Sequence, residues 1–223
     1  MKRNTSLRAA MAVAAALSVG AGPVAGEETP AKAGEKVEFP GTYVRLAYNE
    51  EGWVTLGFRL ANESVGQKWM LLEVGMTLVG KTQDHTLRRS DVALVAPGPK
   101  VVQLATQEEY GKADHLVALN ERANVARDSV NYFPSEANRP CALPFFTGPE
   151  QARLVKDEVE LTPRRACAGR LFFNIPEGIQ LGTYNLDVKL ANSTVRVPFQ
   201  IMTKDEVKKL EKELKEMKKE EKK

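Results

Sequence analysis

Apolar residues alternate with polar ones through the body of this 223-residue chain, and that period of two restricts it to strands with one buried face. Val54, Leu56, Phe58 and Leu60 share one parity, as do Met70, Leu72, Val74, Met76 and Leu78. The pattern returns at Val92–Val95 and Val101–Leu104, on either side of Pro97-Gly98-Pro99, and again over Ala168–Asn174. Two further runs follow, Tyr184, Leu186, Val188, Leu190 and then Val195, Val197, Phe199, Ile201. Ala61–Gly66, the Pro-Gly-Pro triplet and Asn192-Ser193 read as turns, so successive runs read as antiparallel neighbours. Pro198 sits on the opposite parity and cannot donate to a ladder, which predicts an edge position for the last strand. Seven or so strands with short turns predict a mainly β fold of two packed antiparallel sheets.

Two stretches break the alternation. Thr106 and Glu109 have the spacing of a capping box, which predicts a helix near Thr106–Val125. Its apolar stripe is narrow (Leu116, Leu119, Ala123) and Gly111 lies inside it, so it is expected to lie on the surface or to break in two. Thr203 and Glu206 repeat the capping box, and Val207, Leu210, Leu214 and Met217 follow at spacings that form a short seam. Nine lysines and seven acidic residues fill the rest of 204–223. That composition suits a solvated or body-docked helix with i,i+4 charge pairs, the alternative being a helix that binds a partner; residues 218–223 should fray.

The N-terminus has the order of a secretory signal: Lys2, Arg3 and Arg8, an Ala-rich run over Ala9–Ala21, then the small-residue site Val24-Ala25-Gly26. The expected division is a signal peptide over 1–26, a flexible leader over 27–36, a β-body over 37–203 and a helical tail over 204–223. Cleavage removes three of the 32 basic side chains and none of the 29 acidic ones, which leaves the remainder balanced. No long-range positive field is then available for nucleic acid. The Ala-rich run is shorter than the ~20 apolar residues a membrane span requires, so no membrane span is expected after cleavage and the destination reads as periplasmic or secreted.

The central run Trp69-Met70-Leu71-Leu72-Glu73-Val74-Gly75-Met76 and the pair Val159-Glu160-Leu161-Thr162-Pro163 and Gly169-Arg170-Leu171-Phe172-Phe173-Asn174-Ile175-Pro176 are laid out as in a known class of domain. Across residues 42–104 and 159–200 the chain resembles the telokin-like immunoglobulin-fold domains of bacterial secreted proteins and lipoproteins, many of unknown function. The resemblance implies an Ig-like antiparallel β-sandwich carrying an inserted helix near 106–167 and a charged C-terminal helix, and it supplies no functional residues. An internal echo at an offset of 141, Gly41-Thr42-Tyr43 with Val54 and Phe58 against Gly182-Thr183-Tyr184 with Val195 and Phe199, reads as two hairpins obeying one β-pattern.

Chemistry-bearing residues are sparse. Cys141 and Cys167 are the only cysteines, and an oxidising destination makes a disulfide the expected state, with two buried thiols as the alternative. His85 follows Asp84 in an expected turn and His115 follows Asp114 in the expected helix; neither belongs to a ligand-spaced cluster, so no metal site and no cofactor are assigned. The chain contains neither a Gly-x-Ser-x-Gly elbow nor a phosphate-binding glycine motif, and no catalytic residue is assigned. Val130–Pro149 is the candidate contact surface: Tyr132, Phe133, Phe145 and Phe146 alternate with Pro134, Pro140, Pro144 and Pro149 and, if exposed, would grip a partner rigidly. The competing reading is a packed loop closing one end of the body. The tail seam is the second candidate surface. Together these features predict an exported, non-enzymatic binding or accessory domain whose partner is a protein or envelope component. A scaffold joined through the tail helix, or an uncharacterised hydrolase, is the alternative.

Overall fold

The computed structural model describes residues 36–113, 116–146 and 155–220. The expected signal peptide, the leader up to residue 35, His115, Pro149 and the last three residues lie outside the described residues.

Alternation resolves into β1 (Lys36–Gly41), β2 (Val44–Tyr48), β3 (Gly52–Gly57), β4 (Trp69–Leu78), β5 (His85–Arg88), β6 (Val92–Ala96) and β7 (Lys100–Gln103) in the first half. The second half adds β8 (Arg139–Ala142), β9 (Glu158–Leu161), β10 (Arg165–Asn174), β11 (Gly182–Lys189) and β12 (Thr194–Ile201). The helices are α1 (Arg59–Glu63), α2 (Gln107–Gly111), α3 (Leu116–Val125) and α4 (Lys204–Glu220). The strands form a six-stranded sheet ordered β1-β2-β3-β4-β10-β8, a four-stranded sheet ordered β12-β11-β6-β7, and the pair β5-β9. The fold is mainly β with several antiparallel sheets. One pair departs from the antiparallel expectation, since β8 joins β10 in parallel.

All ten residues of β4 are buried because its two faces meet different clusters. Met70, Leu72, Val74, Met76 and Leu78 enter the main core, together with Val92, Leu94, Leu186, Val188, Val197 and Phe199 from the four-stranded sheet. Trp69 and Leu71, on the other face, pack with Tyr110, Leu116, Leu119, Ala123 and Phe172 in a second cluster beneath α2 and α3. The long apolar run therefore reflects burial on both faces.

The echoed segments meet inside the main core. Tyr43 lies edge-to-face with Phe58 at 5.8 Å, Tyr184 stacks with Phe199 at 5.5 Å, and Phe58 reaches Phe199 at 5.2 Å. Both segments are antiparallel hairpins in which a tyrosine faces a phenylalanine. Pro198 falls in β12, which is an edge strand.

Two expectations about these elements require correction. Leu60 does not continue its strand: β3 ends at Gly57, and Leu60 lies on α1 and joins the second cluster. Phe58 and Ala61 both enter the main core, so an i,i+3 spacing coincides with the alternation and the two periods cannot be separated over so short a run. The turn expected over Ala61–Gly66 starts as part of that helix and closes only at Gly66, whose φ of +82° suits glycine. The helix expected over Thr106–Val125 breaks in two, one of the two outcomes its narrow stripe and Gly111 suggested. Thr106 and Glu109 form the capping box of α2, which ends at Gly111, and α3 starts at Leu116.

In α4, the backbone N–H of Thr203 donates to the Glu206 carboxylate at 2.7 Å, which holds that carboxyl below its usual pKa. Val207 is buried in the main core and Leu210 packs against it, Leu214 is half-buried and Met217 is exposed. The seam thus docks at its start and leaves the body toward its end.

Candidate functional site

The outer face of the large sheet is unusual for the small and polar residues placed between its apolar ones. On β3 it carries Trp53, Thr55 and Gly57; on β4, Trp69, Leu71, Glu73, Gly75 and Thr77; on β10, Ala168, Arg170 and Phe172. Register places Glu73 directly opposite Arg170 and Gly57, and Gly75 opposite Ala168. A β-carbon on Gly57 would lie 2.7 Å from the Asp128 β-carbon, and one on Gly75 would lie 2.7 Å from the Val130 carbonyl oxygen and the Phe133 ring. Those glycines let the segment after α3 lie flat on the sheet. The carbonyl of Tyr132 is held there by the Trp53 indole N–H and the Thr55 hydroxyl.

Two buried carboxylates fasten this segment. Glu73 accepts the backbone N–H of Asp128 at 2.7 Å through Oε2, while its Oε1 lies 3.8 Å from Nε of Arg170. Asp128 accepts the backbone N–H of Arg59 at 2.9 Å and its Nε–H at 3.1 Å. Burial pushes the Glu73 carboxyl above the ordinary carboxylate range, against the Asp128 N–H and the Arg170 charge. Burial raises Asp128 in the same way, opposed by the Arg59 backbone N–H and guanidinium. Arg170 reaches away from the sheet to α3, donating to Asn120 Oδ1 at 3.1 Å and Asn124 Oδ1 at 2.8 Å. Asn120 in turn donates to the Tyr110 hydroxyl at 2.7 Å.

Above this network opens a cleft of about 680 Å³. It is lined by Ala168, Gly169 and Arg170 of β10, by Val117, Asn120, Glu121 and Asn124 of α3, by Arg127, Asp128 and Asn131 of the segment after it, and by Phe146. Its size falls within the range of small-molecule sites, and its lining mixes apolar side chains with polar groups, the arrangement that fixes a ligand's orientation.

The four aromatics singled out from the sequence do not form one exposed patch. Phe145 is fully buried in the main core, with its carbonyl accepting from Arg89. Phe146 is half-buried against Tyr110 and Phe172 and lines the cleft. Phe133 lies over Gly75, and Tyr132 is 39% exposed. Its described part acts chiefly as a packed cover, because Phe145 enters the core, Phe133 lies against Gly75 and the Tyr132 carbonyl is held by Trp53 and Thr55. Cys141 and Cys167 occupy opposed positions on β8 and β10 and form a disulfide that closes a sequence separation of 26. His85 opens β5 opposite Leu161, not a turn, and its Nε2 is buried without a hydrogen-bond partner among the described residues. No group of three or more metal-ligating side chains occurs among the described residues.

The cleft residues Glu73, Asn120, Asn124, Arg127, Asp128, Asn131 and Arg170 were not among the sequence candidates. A signal existed: Glu73 and Arg170 are the charged residues inside otherwise apolar runs. Comparison with protein-family models, with curated proteins and with solved structures finds no match to this chain.

Proposed function

We propose that this chain is an exported, non-enzymatic binding or accessory domain of the cell envelope, built as an Ig-like β-sandwich, and that the cleft on the outer face of its large sheet is where it meets its ligand. The observation that carries this reading is the Glu73–Arg170 pair. Opposite charges placed on the buried face of a sheet are expensive unless they organise something, and here they position two asparagines and a flanking segment around an open cleft. The disulfide supports the exported setting, being stable in an oxidising compartment. Among the described residues no helix is long and apolar enough to cross a membrane.

The test is site-specific photocrosslinking in cells. A crosslinker replacing Val117, exposed at the rim of the cleft, should give discrete adducts, and one replacing Leu181, equally exposed elsewhere, should not. Adducts at both positions alike, or at neither, overturn the assignment. Intact mass of the exported form should begin at Glu27; retention of Met1–Gly26 in the only mature form refutes processing.

The outer half of α4 favours a second reading, a scaffold that joins a complex through this helix. Met217 is 53% exposed on the same seam as the buried Val207. A crosslinker at Met217 that traps a partner while Val117 does not would select it.

A further inference from the structure

Resting on the reading of the cleft as a ligand site, we infer that its ligand is a neutral saccharide. The buried charges of the cleft already have partners. Both oxygens of Asp128 accept from Arg59, and the guanidinium of Arg170 is directed at Asn120, Asn124 and Glu73. No free pair of parallel N–H groups on Arg170 is left for a carboxylate or phosphate, which bind arginine as a fork. Of the two buried carboxylates, the one oxygen without a hydrogen bond, Oε1 of Glu73, has Arg170 at 3.8 Å, beyond hydrogen-bond range yet close enough to repel an incoming ammonium. An anion meets Glu73 and a cation meets Arg170.

A hydroxyl group has neither difficulty. It donates to Glu73 Oε1 and accepts from an amide N–H, and the exposed Asn124 and Asn131 both line the cleft. Several hydroxyls on one rigid ring match acceptors and donors spread around an open cleft. The half-buried ring of Phe146 and the exposed side chain of Val117 offer apolar surface to the C–H face of such a ring. Glu121 and Arg127 at the mouth are opposite in sign and give the cleft no long-range preference for charge.

The experiment titrates isotope-labelled, disulfide-bonded protein, purified after export, with three probes: neutral tri-N-acetylchitotriose, an anionic trimer of hexuronic acid, and trilysine. The expected result is perturbation of the Asn120, Asn124 and Asn131 side-chain amides by the neutral sugar, unchanged on raising salt, since no ion pair forms. Asn131→Ala, at an exposed position, should weaken binding about fivefold to tenfold, the effect of one lost hydrogen bond. Perturbation of these amides by a charged probe alone overturns the saccharide assignment and leaves the ligand site standing. Perturbation confined to another surface overturns both. No perturbation by any probe overturns the saccharide assignment, while the Val117 crosslink decides the ligand site separately.

Discussion

Glu73 accepts the backbone N–H of Asp128 at 2.7 Å, tying the middle of β4 to a residue 55 positions further along the chain. The bond needs only an acceptor, and the negative charge is not required for it. Because burial is the leading cause of the raised Glu73 pKa, the folded protein holds that proton more tightly than the unfolded chain does. Its contribution to stability is full below the ordinary carboxylate pKa and is lost as pH rises through the raised folded value. Glu73→Gln keeps an acceptor for Asp128 and removes the titration. The variant is expected to gain melting temperature relative to the natural protein as pH goes from about 4 to about 7. Thermal melts across that range check it, and a gap that is constant with pH contradicts it.

Removing the Cys141–Cys167 bridge frees β8, which is an edge strand of four residues. Alkylation of the denatured, unreduced protein should label neither sulfur. The double serine variant should lose about 2–4 kcal/mol in denaturant unfolding.

Gly75→Ala forces a β-carbon against the Val130 carbonyl and the Phe133 ring, and the backbone contact cannot yield without moving the segment. A loss of about 1–3 kcal/mol is expected. Trp53 reports the cause, since its indole N–H donates to Tyr132 in the same segment; its fluorescence should change in the variant while circular dichroism stays the same.

Truncation separates the two halves of α4. The sequence left a solvated and a body-docked helix open, and the start of the helix is docked: Val207 belongs to the main core and Leu210 packs on it. Removal of 212–223 should leave unfolding unchanged, whereas Val207→Ala should cost about 1–3 kcal/mol.

The strands were legible wherever one face was apolar and the other polar, as in β11 and β12, because the period alone identifies a half-buried strand. β1, β2, β5 and β8 went unread. β2 is buried almost throughout and β8 contains a proline and a cysteine in four residues, so neither displays a clean period. The cleft was illegible for another reason. Glu73 and Arg170 meet only because β4 and β10 pair in one particular register, and nothing local to either strand specifies it. Phe145 and Phe146 show the same limit: adjacent in sequence, the first lies inside the main core while the second is only partly buried and packs against both clusters.

Pro198 also governs how copies of this chain can behave toward each other. In β12 it faces Asn185, and lacking an N–H it must turn its nitrogen to the open side of the four-stranded sheet. A strand from a neighbouring molecule approaching that side finds a missing donor in the middle of the row, so the sheet cannot be extended there into a continuous ladder. Growth by edge-to-edge pairing leads to fibres, and a single ring in the edge strand obstructs it.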